Sequence, residues 1–259
     1  MNAFLEAFAW IADPAHWSGP DGIPTRVAEH LGYTGLTVLI AVLIAVTLGL
    51  YIGHTGRWRG ISIGATGALR ALPTLGLLTY LAIAFGFGIR LALIPTVIVL
   101  VVLAIPPLLA GAYSGIESVD PRTVDAARSM GMTEWQILWK VEVPLALPLI
   151  IGGIRSAVLQ VVATATVAAY ISLGGLGRYI IDALPVRDYT KVLVGALLVT
   201  LLALVLEGIL ILIQRLTVPA GVRAIRTAAP LRTSRKSTRV PVAPTGTSGQ
   251  MAKQHTPTQ

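Results

Sequence analysis

The chain has 259 residues, 54% hydrophobic and 12% charged, with a mean hydropathy of +0.76. A soluble domain is about one-quarter charged, so this balance excludes one and points to a polytopic membrane protein. Cysteine is absent, which excludes a disulfide scaffold and thiolate metal sites.

Residues 1–30 contain Trp10, Trp17 and three acids, Glu6, Asp13 and Asp21, ahead of the first base, Arg26. They lack the basic start of a cleaved signal peptide and read as an extracytoplasmic or interfacial segment. Five apolar runs follow, at about 33–52, 72–87, 91–113, 145–171 and 192–213. About 20 helical residues, at about 1.5 Å each, cross the hydrocarbon layer, so each run reads as one transmembrane helix. The second is short, and its helix is expected to begin near Ile61 as a Gly-rich lead-in along the interface. Pro106 and Pro107 remove two backbone donors from the third run and predict a kink. Residues 31–216 therefore form the membrane domain. Residues 217–259, rich in Pro, Thr, Ser and Arg, read as a disordered basic tail.

The net charge of +8 belongs to that tail: residues 215–259 carry 8 Lys/Arg and no acid, whereas residues 1–214 balance 12 against 12. A basic tail beside a bilayer sets topology or touches lipid, so no nucleic-acid partner is expected. With five helices and the N-terminus outside, the inner side receives Arg57, Arg59, Arg70, Arg122, Arg128, Lys140 and the eight tail bases, 14 in all. The outer side receives five: Arg26, Arg90, Arg178, Arg187 and Lys191. The positive-inside rule then puts the C-terminus and the loop between the third and fourth spans in the cytoplasm.

That loop holds a polar island, DPRTVDAARSMGMTEWQILWKVEVP, from Asp120 to Pro144. Asp120 before Pro121 is a helix start, an acceptor side chain followed by a ring that needs no intrahelical donor. Gly131 can supply a left-handed residue for the reversal, and Thr133 with Gln136 makes a capping box for a second helix. Ala126 and Ala127 have almost no side chain, so a partner could approach the backbone closely. Asp125 suits the positive helix end and could face a base on that partner. Pro144 is expected to end the second helix and to set the angle of the fourth span. A capped linker with no partner is the other reading of the same residues.

Asp125-Ala126-Ala127, three residues, Gly131, nine residues and Val141-Glu142-Val143-Pro144 together resemble the EAA signature of ABC-importer permeases. That signature runs E-A-A, three residues, Gly, nine residues, then I-x-L-P; here Asp replaces the acid and Val both aliphatics. The stretches ALRALPTLGLLTYL, YSGIESVDP and GMTEWQILWKVEVPLALPLIIGGIR are similar to permeases of osmoprotectant importers, as is Gly174-Gly175-Leu176-Gly177. The similarity spans residues 30–217.

The resemblance implies an all-α polytopic protein of the bacterial plasma membrane. Its fold would be the five-helix type I ABC importer (MetI-like) fold, with residues 118–143 as a cytoplasmic coupling region. It implies a permease for glycine betaine, choline, carnitine or proline betaine. A permease for another small solute, such as an amino acid, remains open. The implied partners are a cytoplasmic ABC ATPase dimer, an extracytoplasmic substrate-binding protein and a second permease subunit, identical or paralogous. Asp125, Ala126, Ala127, Gly131, Val141 and Pro144 would face the ATPase.

Within the spans, Thr164 and Thr166 stand among alanines and suit either a polar solute path or tight helix packing. Arg155 and Glu207 are the ionisable residues inside spans, each roughly 10–14 Å from the cytoplasmic face by helix rise. They are expected either to pair or to snorkel separately. Gly174, Gly175 and Gly177 mark a tight turn at the outer end of the fourth span, with or without a gating role.

No G-x-x-x-x-G-K-[ST] phosphate cradle occurs, so ATP and Mg are expected on the partner ATPase and no cofactor in this chain. The four His residues, at 16, 30, 54 and 255, show no metal-ligand spacing. No carboxylate pair suits acid–base work, so neither a metal site nor catalytic residues are expected. A membrane-embedded enzyme is the reading from a different class.

Overall fold

The computed structural model describes residues 3–85 and 92–217. The basic tail from residue 218, and residues 86–91 between the second and third apolar runs, lie outside the described residues. Every described element is helical. In chain order they are α1 (Ala3–Ala12), α2 (Ile23–Thr55), α3 (Arg59–Arg70), α4 (Thr74–Ala84) and α5 (Leu93–Glu117). After these come α6 (Pro121–Ser129), α7 (Glu134–Ile137), α8 (Val143–Ala165), α9 (Gly177–Ile181) and α10 (Tyr189–Thr217).

Four helical stretches among the described residues are long and apolar enough to cross a bilayer: α2, α5, the run Glu134–Ile171 that contains α8, and α10. The expected second span is α3 and α4, which meet at 85°. Counted as one broken span, that pair brings the number to five. α4 alone, at 11 residues, covers only about 16 Å.

The centre of the bundle is α5, packed against both α2 and α8. Ala41 and Ala45 of α2, Ala104 and Leu108 of α5, and Ala157 and Val161 of α8 form the central core. Small residues let the helices close on one another, since in lipid packing rather than hydrophobic burial holds helices together. The closest approach is between α5 and α8. A Cβ on Gly111 would lie 2.7 Å from the Cα of Gly153, and one on Gly153 would lie 2.8 Å from the Pro107 carbonyl oxygen. Pro106 and Pro107 lie within this seam, and α5 passes through both as one helix.

A second cluster joins α1, α9 and α10 through Ala7, Leu176, Tyr179, Val194 and Leu198. The Tyr179 hydroxyl donates to the Asp21 carbonyl (2.6 Å), and Thr190 donates to Glu6 (3.0 Å). Beyond that contact α10 shows Leu201, Leu204 and Leu212 on its surface, each more than half exposed, as a helix facing lipid does.

α2 begins at Ile23, well ahead of the apolar run at 33–52. Its first turns carry Arg26, Glu29 and His30, which lower the local hydropathy, yet each has a partner. Arg26 pairs with Asp21 and with Glu29, Glu29 accepts the Gly175 amide (2.7 Å), and a His30 ring nitrogen bonds the Val162 carbonyl (3.0 Å). α8 gives way to a 3₁₀ turn at Thr166–Ile171. His30 is fully buried and takes up a carbonyl one turn before that change of helix type.

Candidate functional site

The island folds as its local chemistry dictates. Asp120 accepts the Arg122 amide (2.9 Å) and starts α6 with Pro121 in the first turn. α6 ends in a Schellman motif: Gly131 has φ +82°, its amide bonds Arg128 O (3.0 Å), and the Met132 amide bonds Ala127 O (3.3 Å). The Thr133–Gln136 capping box then opens α7, with both reciprocal bonds made.

Pro144 does not end the second helix. α7 runs through a π turn at Leu138–Glu142 directly into α8, with Pro144 in the first turn of α8. The Val143 amide bonds Leu138 O, five residues back, and this wider turn makes room for the proline ring without breaking the helix. The second helix of the island and α8 are therefore one continuous rod, Glu134–Ile171.

The two alanines of the signature differ in exposure. Ala126 is exposed with Asp125, whereas Ala127 is 3% exposed and packs within the chain. A close approach from outside is open at Ala126 only. Val141 is half-buried beside the buried Glu142. Around the alanines, Met130 and Trp135 are largely exposed, and Trp135 meets Trp139 edge to face at 5.6 Å.

A line of charges crosses the island. Arg128 holds Asp125 (3.1 Å) and grips both oxygens of Glu134 (2.8 and 3.1 Å). The hydrogen bond to Glu134, and then its charge, push the Arg128 guanidinium above its ordinary value. Beyond Glu134 stands His54 at the end of α2, and beyond His54 the buried Glu142. The sequence contains no motif for His54, whose partner lies 88 residues away. The available signal was an imidazole closing an apolar run and an acid two residues before a span-initiating proline.

The remaining candidates fall in separate places. Arg155 on α8 and Glu207 on α10 form an ion pair. Thr164 and Thr166 are both half-buried, and their hydroxyls donate to their own helix, to Gln160 O and to Ala163 O (2.8 Å). Thr164 also lines a small cavity with Thr74, Thr96 and Val99, between α4, α5 and α8. Gln160, absent from the candidate set, donates to Leu103 O (2.9 Å) and ties α8 to α5.

Gly174, Gly175 and Gly177 lie at the opposite end of α8 from the island, against the start of α2. Gly175 has φ +88°, and a Cβ on Gly177 would lie 2.1 Å from Thr166 O. This turn is clamped by Glu29 and sits beside His30, neither of which the sequence marks. Burial pushes the Tyr179 phenol up, and Tyr179 anchors the short helix that follows the turn. Among the described residues no cluster of three or more His, Asp or Glu suits a metal ion.

The sequence profile described as "Binding-protein-dependent transport system inner membrane component" matches residues 37–219. The glycine betaine/carnitine/choline transport system permease protein OpuCB of Bacillus subtilis is 30% identical over 201 residues, 78% of this chain and 91% of OpuCB. The osmoprotectant import permease protein OsmW of Salmonella typhimurium is 34% identical over 199 residues, 75% of this chain and 91% of OsmW. In fold, the chain is similar to a chain of the MetNI methionine ABC transporter in an inward-facing conformation. That likeness has a TM-score of 0.66 at 21% identity, covering 80% of this chain and 100% of the other.

Proposed function

The chain belongs to the family of binding-protein-dependent transport system inner membrane components, and from that premise we propose that it is the permease of an ATP-driven importer for osmoprotectants. The solutes are glycine betaine, choline, carnitine or proline betaine. The observation that carries the solute class is the similarity to OpuCB and OsmW over three-quarters of the chain.

In this reading two permease subunits form the pathway in the plasma membrane. A loaded binding protein docks at the end that holds Gly174, Gly175 and Gly177, outside. An ATPase pair, which holds the ATP and Mg, docks at the island in the cytoplasm, where the C-terminus also lies. Asp125 and Ala126 form the contact face, while Ala127 and Gly131 shape the helix that presents it. Val141 and Pro144 lie on the rod that carries ATPase closure into α8. α6 is tied to the start of that rod by Arg128 and Glu134, so a push on α6 tilts a span instead of bending a loop. Thr164 and Thr166 line the wall along which a small polar solute passes.

Uptake of labelled glycine betaine, choline, carnitine and proline by cells lacking their own importers tests this, with the partner subunits co-expressed. Uptake of at least one quaternary ammonium solute, dependent on this chain, is expected. Transport of proline or another amino acid alone would replace the solute class.

A further inference from the structure

His54 stands where α2 meets the island. One ring nitrogen is 2.5 Å from a Glu142 carboxylate oxygen, and the other is 3.5 Å from a Glu134 oxygen. Glu142 is only 5% exposed, so His54 is the hydrogen-bond partner of a carboxylate that water scarcely reaches. Glu134 is in turn gripped by Arg128, and Arg128 reaches Asp125 on the exposed face of α6. An unbroken series of polar contacts thus leads from that face to the end of α2.

The series continues into the bundle by packing. A Cβ on Gly53 would lie 2.7 Å from Ile116 Cβ, and one on Gly49 would lie 2.6 Å from Ala112 Cβ. α2 contributes no side chain there and its bare backbone rests on Ala112 and Ile116, so displacement of the end of α2 bears directly on α5. The island reaches α8 through the continuous backbone of the π turn. α2 has no backbone link of that kind, and among the described residues its polar side-chain contacts with the island run through His54.

We infer that His54 is a positioning residue that fastens α2 to the docking island, so that movement of the island carries α2 and α8 together. This rests on the permease reading above. Without His54, a push on α6 reaches α8 alone, and the seam between α2 and α5 receives no direct drive.

The test uses the full complex in proteoliposomes, with ATPase subunits and binding protein, and reads ATP hydrolysis stimulated by loaded binding protein and solute moved per ATP. His54→Leu, close in size and apolar, is expected to lower both about 3- to 20-fold at wild-type subunit stoichiometry. His54→Gln keeps a donor for Glu142 and is expected to retain most of the coupling, a rescue that a packing role would not give.

The absence of native cysteine permits a further arm. A His54→Cys/Glu142→Cys variant, bridged by a short bifunctional thiol reagent, is expected to regain coupling that the unbridged sample lacks. Bridged and unbridged halves of one preparation decide the matter even where His54→Leu fails to assemble. Wild-type coupling in His54→Leu, or no recovery on bridging, overturns the role of His54. A wild-type complex that never responds to loaded binding protein overturns the permease reading instead.

Discussion

Arg155 and Glu207 join α8 to α10 in the same antiparallel register as Pro148 and Gln214, which lie seven residues earlier on α8 and seven later on α10. Gln214 donates to the Pro148 carbonyl (3.2 Å), so a charged and a neutral contact staple the two helices two turns apart. One oxygen of Glu207 is buried without a hydrogen-bond partner, which leaves that carboxylate dependent on Arg155.

Loss of either charge should therefore cost more than loss of both. Arg155→Ala is expected to destabilise the chain by about 1–3 kcal/mol, discounted from a fully buried pair because both side chains are partly exposed. Arg155→Met with Glu207→Gln should recover much of this, and so should the charge swap Arg155→Glu with Glu207→Arg. Thermal unfolding in detergent reads all four proteins; a swap no more stable than Arg155→Ala would show that the pair contributes nothing.

The exposed and the buried alanine of the signature give a second contrast. Ala126→Trp projects from the exposed face of α6, so melting should change by no more than about 0.5 kcal/mol. ATPase subunits should nevertheless fail to copurify. Ala127→Trp is inserted into a closed interior and should destabilise the chain by about 1–3 kcal/mol or more. Normal ATPase recruitment by the Ala126→Trp protein would remove the docking assignment.

Adjacent glycines in α8 should respond with opposite signs. A Cβ on Gly152 meets nothing within 4 Å, so Gly152→Ala should stabilise the helix by about 0.5–1 kcal/mol. A Cβ on Gly153 collides with the backbone of α5, so Gly153→Ala should destabilise by about 1–3 kcal/mol. Paired melting curves decide it, and equal shifts would mean that α5 and α8 are not in backbone contact.

His30→Leu keeps the volume of the ring and removes the bond to Val162 O. Loss of this buried hydrogen bond should cost about 0.5–1.5 kcal/mol, measured by the same melts. Amide exchange at Thr166–Ile171 should accelerate more than exchange at the far end of α8. Uniform acceleration along α8 would show that His30 does not support the helix transition.

What could be read from the sequence was what neighbours in the chain decide among themselves. Asp120 with Arg122, Thr133 with Gln136, and Gly131 after α6 all act within a few residues, and each forms the cap its spacing announces. The long apolar spans were legible for the same reason. The start of α2 was not, because Arg26, Glu29 and His30 look like loop residues until Asp21, Gly175 and Val162 come beside them. Pro144 misled in a different way. A missing amide can be met by a wider turn as well as by a break, and the choice depends on where Leu138 and Glu142 must be buried. His54 was invisible because its meaning lies in two carboxylates on another segment.

The contact of Gly111 with Gly153 also limits how this molecule can move. Two helices that touch through bare backbone have no side chains to re-seat, so a ratchet by one turn would drive neighbouring Leu149 or Pro107 into the opposite backbone. α5 and α8 are thus constrained to turn as a single lever. The opening and closing of a pathway must take place at surfaces this pair presents to others, and the joint itself stays shut throughout.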